Sequence, residues 1–173
     1  KLNELYKFDN FEYSEDETID FLTIVKNGVF YYKKIFPSIY KNLSSNLKNI
    51  RFFIYENNST DGTKDLLSEL SKQYDNIIVK SENLEKISGD RIENIKIARN
   101  NLRNFYIDYY FENPVNNKFV ILWDTDILFN YETTLNNLLS KINEVPNFSM
   151  LLGFGVFAGQ NDYLQSLIHL KTS

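Results

Sequence analysis

Four short, continuous apolar runs punctuate the chain, and stretches of helical periodicity separate them. The runs are DFLTIV (20–25), RFFIYE (51–56), NIIVKS (76–81) and FVILW (119–123). A strand with one wet face alternates apolar and polar residues. A strand that is apolar at successive positions expects cover on both faces. Between the runs, Phe30, Ile35, Ile39 and Leu43 recur at helical spacing, and Leu66, Leu67 and Leu70 mark a second helix from Thr63 to about Tyr74. Ile92, Ile95, Ala98, Leu102, Phe105 and Ile107 mark a long third helix over 90–112. Strands alternating with helices in this way predict an α/β fold, with a mostly parallel, Rossmann-like sheet and helices on both faces.

The punctuation agrees. Pro37 is expected to interrupt the first helical stretch, Thr60 or Asp61 to cap the second, and Pro114 to follow the end of the third. A helix over about 131–143, one or two glycine-broken strands within 148–159 and a short helix over 161–173 complete the reading. We expect one domain over 1–173, with residues 1–17 as a lead-in arm.

Composition removes several function classes. The chain has 19 basic and 23 acidic residues and a net charge of -4, so it offers no overall basic field for nucleic acid. Cysteine is absent, which excludes disulfides, thiolate zinc sites and cysteine nucleophiles. No apolar stretch reaches the roughly 20 residues of a membrane span. The glycosylation sequons at Asn57 and Asn58 fall in the loop after the second apolar run, where a glycan would block a ligand, and this favours a cytoplasmic setting.

In parallel sheets ligands bind beyond the carboxyl ends of the strands, and the polar clusters fall there. Glu56 ends the second run and is followed by NNSTDGT. Helix capping explains the Ser, Thr, Asp and Gly of that loop; it does not explain an acid at the tip of a buried strand. The fourth run ends in Asp124-Thr125-Asp126. Two carboxylates two residues apart repel each other unless a cation neutralises them, and hard oxygens favour Mn²⁺ or Mg²⁺ over zinc. Asp124 capping a turn beside a solvated Asp126 is the plain alternative. Arg91 and Arg99 lie eight residues apart, little more than two helical turns, so both fall on nearly one face, where they could neutralise a diphosphate.

IYENNSTDGTKDLL, then RIENIKIARN, then WDTD, resembles in order and spacing the nucleotide-sugar-binding half of GT-A glycosyltransferases, including family 2-like and capsule mannosyltransferase-like enzymes. The resemblance spans about residues 20–130. It implies a metal-dependent transferase that moves a sugar from a nucleotide-diphosphate donor, most often a UDP-sugar, to the hydroxyl of a glycan, protein or lipid acceptor. It implies that Glu56 contacts the nucleoside, that Asp61 lies near the base or orders its loop, and that Lys26 lines the base pocket. Asp124 would touch ribose or a metal-bound water and Asp126 would hold the metal, with Thr125 between them at the donor. Arg91 and Arg99 would face the diphosphate or the donor sugar.

Of the downstream acids Glu132, Glu144 and Asp162, chain order favours Asp162 as general base, against a plain helix-capping role. His169, the one histidine, would complete the metal shell or be an ordinary helix residue. The region after about 130 reads as a short or truncated acceptor half. Three other readings compete. A haloacid-dehalogenase-type phosphatase would open on its D-x-D, and a nucleotidyltransferase would carry a basic, Gly-rich loop after its first strand. A non-catalytic module that keeps the donor pocket fits the short tail.

Overall fold

A computed structural model of the protein describes residues 17–84 and 89–124, with two short strands at 127–128 and 156–157. The chain divides into two compact units, residues 14–125 and residues 1–13 with 126–173. In the first, the elements run β1 (Glu17–Val25), α1 (Val29–Lys34), α2 (Phe36–Asn46), β2 (Ile50–Asn57), α3 (Thr63–Gln73), β3 (Ile77–Glu82), α4 (Arg91–Glu112) and β4 (Asn116–Leu122). In the second, β5 (Ile127–Leu128) and β6 (Val156–Phe157) pair antiparallel. The expected helices at 131–143 and 161–173 lie outside the described residues, and β6 is the described part of the expected 148–159 strands.

The four long strands form one sheet in the order β3-β2-β1-β4, and every neighbouring pair is parallel. The predicted α/β architecture is therefore present. Side-chain alternation along β2 sends Phe52 to one face and Phe53 to the other. Phe52 stacks on Phe21 of β1 and meets the edge of Phe36 from α2, with ring centroids 5.1 and 5.4 Å apart. Phe53 meets Phe105, Tyr106 and Tyr109 of α4. Leu22, Phe53, Tyr55, Ala98 and Leu102 are buried together on that second face. Helices thus cover both faces of β2, which is why the strand is apolar at successive positions.

Several boundaries differ from expectation for local reasons. The first helical stretch breaks at Ile35 rather than at Pro37, because proline fits the first turn of a new helix, where its missing N–H leaves no bond unmade. That break rotates the inward face: Tyr31, Tyr32 and Phe36 are buried, and Phe30, expected inside, is 69% exposed. Ile92, expected against the core, is also exposed, since it lies in the first turn of α4. FVILW, the most apolar run, forms an edge strand of this sheet, with Val120 and Leu122 exposed. The α3 N-cap is Gly62, at φ 88°, rather than Thr60 or Asp61.

One buried ion pair ties the sheet to α4. Arg51 donates from Nε and Nη2 to the two oxygens of fully buried Asp20, at 2.8 and 2.7 Å. The Tyr106 hydroxyl donates to the same carboxylate at 2.8 Å. The Arg51 guanidinium also lies over the rings of Phe53 and Tyr109. Burial works against this cation, yet the bonds to Asp20 hold its pKa above the ordinary arginine value. A pair of this kind costs most when one member is removed. Asp20→Ala is therefore expected to lower unfolding free energy by about 3–5 kcal/mol in urea denaturation, and pairing it with Arg51→Met should recover a large part of the loss. A single variant as stable as the parent would contradict this account.

Candidate functional site

The strand register gathers the polar tips along the carboxyl end of the sheet. Val25 lies opposite Glu56, Glu56 opposite Ser81, and Asn57 opposite Glu82. The Trp123 N–H donates to the Leu22 carbonyl at 3.0 Å, and Asp124 follows at once. Lys26, Glu56, Glu82 and Asp124 therefore follow or end neighbouring strands on one rim, as the sequence suggested.

Glu56 is 1% exposed. Its Oε1 accepts the Ser59 N–H at 2.8 Å, which closes the first turn of the loop. Its Oε2 is buried and has no hydrogen-bond partner among the described residues. A buried carboxyl oxygen without a donor is costly, and proteins rarely keep one without use.

The loop after Glu56 is bound to the loop after β1. Asn27 N–H donates to Ser59 Oγ at 2.9 Å, and Thr60 N–H donates back to Asn27 Oδ1 at 2.8 Å. Gly28 N–H donates to Thr63 Oγ1 at 2.8 Å. Asp61 accepts from the Val29 N–H and the Thr63 N–H, each at 3.0 Å, and from the Thr63 hydroxyl. What burial it has would raise its pKa; these bonds prevail and hold the carboxyl below its ordinary value. Asn27, Asn58 and Gly62 take left-handed backbone at φ 56°, 53° and 88°, a conformation that Gly and Asn reach most readily. Gly28 permits the close approach at the start of α1, since a Cβ there would lie 2.5 Å from Val25 Cγ2. Asp61, expected near the base or as the residue that orders its loop, thus acts as a clasp between two loops.

On the α4 side, Arg99 Nη2 donates to both oxygens of Asp124 at 3.2 and 3.1 Å, and both side chains are more than a third exposed. The structure brings these two expected residues together. Arg91 is exposed in the first turn of α4 and forms no ion pair among the described residues; Lys26 is likewise exposed. Thr125, Asp126, Asp162 and His169 lie outside the described residues. Among those described, no group of three or more His, Cys, Asp or Glu stands ready for a metal.

A second network was not anticipated. The Tyr55 hydroxyl donates to Glu82 at 2.6 Å and accepts from Asn101 of α4 at 2.8 Å, while Lys80 pairs with Glu82 at 2.8 Å. Burial, with the bond to Glu82, pushes the Tyr55 hydroxyl up to about 12; the Lys80 and Tyr55 bonds hold Glu82 below its ordinary value. The signal was the polar tip Ser81-Glu82, but nothing in the sequence paired it with Tyr55. This network fixes the turn of α4 that carries Arg99.

No protein-family model matches the chain, and no curated protein matches it. Several solved chains bear a likeness, and two of them illustrate it. One is the mannosyltransferase PcManGT from Pyrobaculum calidifontis in complex with GDP-Man and Mn²⁺, 12% identical, covering 80% of this chain and 36% of that one at a TM-score of 0.48. The other is S. aureus TarS 1-349, 20% identical, covering 73% and 32% at 0.42. The chain spans about a third of the length of each, and a likeness at this level decides nothing about activity.

Asp61 and Glu82, both with lowered pKa values, set a pH dependence. Their stabilising share is full above the unfolded value near 4 and is lost as pH falls through the lower folded values. Asp61→Asn should lower unfolding free energy by roughly 1 kcal/mol at neutral pH, as for a lost capping side chain, and flatten the acid limb of the stability curve. Thermal melts of parent and variant from neutral to strongly acid pH check both; an unchanged acid limb would show that Asp61 is not the clasp.

Proposed function

We propose that the protein is a metal-dependent, GT-A-type glycosyltransferase that binds a nucleotide-diphosphate sugar, with UDP as the favoured carrier, and passes the sugar to an acceptor hydroxyl in the cytoplasm. The observation that carries this reading is Glu56. It is a buried acid at a strand tip with one oxygen fixing its loop and the other without a donor, and a nucleobase N–H or ribose hydroxyl supplies that donor.

Each other residue has a part in this reading. Lys26, at the next strand tip, lines the base pocket, and Asp61 keeps both loops in place. Arg91 and Arg99 meet the diphosphate, with Arg99 turning from Asp124 when the donor arrives. Asp124 contributes hard oxygens at the tip of β4 and Asp126 follows two residues on, a donor chemistry that fits Mn²⁺ or Mg²⁺. His169 adds an imidazole to that set, and Thr125 lies at the donor. Such an ion, when bound, neutralises the leaving diphosphate. Asp162 takes the proton from the acceptor hydroxyl.

UDP with Mn²⁺ is expected to raise the melting temperature, and EDTA to abolish the rise; no shift at millimolar UDP would defeat the reading. Glu56→Gln keeps the shape and one acceptor oxygen, so the fold should persist while UDP affinity falls about 10- to 100-fold, the range for a hydrogen bond involving a charged group. Slow Mn²⁺-dependent hydrolysis of a UDP-sugar, lost in Asp126→Ala, would separate an enzyme from a donor-binding module.

A further inference from the structure

One stretch of the chain is charged against the rest. Between Asp20 and Glu56 there are six cations and no acid, while the remaining sequence holds the other 13 cations and all 23 acids. Arg51 is bound to Asp20, and Lys26 borders the candidate site. Lys48 lies beyond the end of α2, which leaves Lys33, Lys34 and Lys41, all exposed on α1 and α2, and none of these three forms an ion pair among the described residues. Phe30 belongs with them: positions 30, 33 and 34 share one face of α1, and Phe30 is 69% exposed while its neighbours Tyr31 and Tyr32 are buried. The adjoining helix α2 exposes Pro37, Ser38, Lys41 and Ser44, again without an acid.

We propose that the α1–α2 face docks the protein on an anionic lipid surface. The lysines face the phosphate headgroups, and the Phe30 ring enters the boundary between headgroups and acyl chains. Lysine stems can lie along apolar surface while their ammonium groups stay at the headgroup level. The exposed aromatic selects a membrane over a soluble polyanion, since a polyanion in water would gain from the lysines and nothing from Phe30. The inference stands apart from the proposed activity. Because α1 starts at the carboxyl end of β1, docking by this face keeps the strand-tip rim near the bilayer.

The test is co-sedimentation of the full chain with vesicles of phosphatidylcholine alone and of phosphatidylcholine mixed in equal parts with phosphatidylglycerol. Binding is expected on the mixed vesicles only, and it should weaken as salt rises. Lys33→Gln, Lys34→Gln and Lys41→Gln should each lower the partition constant about five-fold. Phe30→Ser should also lower it, while leaving any binding to soluble polyphosphate unchanged and the melting temperature near that of the parent. No binding to the mixed vesicles, equal binding to both kinds, or a Phe30→Ser variant that binds them as the parent does would each overturn the proposal. In the last case, matching affinity for polyphosphate would identify a polyanion surface in its place.

Discussion

A strand covered on both faces can keep its charged groups only toward its ends, and β2 is built on that constraint. Phe52 and Phe53 fill opposite faces, so Arg51 and Glu56 flank an apolar centre. The two ends are treated differently. Arg51 is matched by Asp20 and Tyr106, and that end is complete as protein. Glu56 is half matched: Ser59 takes one oxygen, and the other has no donor among the described residues. The contrast between a finished end and an unfinished one is what makes the Glu56 end the candidate site.

Much of this was legible in the sequence, because burial on both faces leaves an unmistakable apolar run. The parallel order, the helices on both faces and the rim of polar tips all follow from that pattern. Glu56 stood out because no capping rule explains an acid there. The mistakes at Phe30 and Ile92 have one cause: helical periodicity marks a stripe but not where the helix starts. Once the break moved to Ile35, Phe30 came outside and Tyr31 and Tyr32 went in. FVILW was misread in another way, as an apolar run that forms an edge strand with two exposed side chains.

Partnerships between distant residues were not legible. Tyr55 with Glu82 and Asn101, or Asn27 with Ser59 and Thr60, depend on register and on left-handed turns that no local pattern specifies. For Asp61 the sequence left two roles open, a place near the base or the ordering of its loop, and its oxygens are bonded to both loops. Net charge also hides a local pattern. A balance of -4 is an average over the chain, and six of its 19 cations fall in one stretch, residues 21–55, that holds no acid.

The Asn27-Gly28 peptide carries a chemical clock. In such a pair the glycine nitrogen can attack the asparagine side-chain carbonyl, close a succinimide ring and release ammonia. Here the Gly28 N–H is engaged by Thr63 Oγ1, and the Asn27 oxygen by the Thr60 N–H. Ring closure requires both bonds to open, so ageing at Asn27 counts the moments when the two loops part. Water that then hydrolyses the neutral ring would leave a carboxylate beside Lys26 and make the rim of the sheet more acidic.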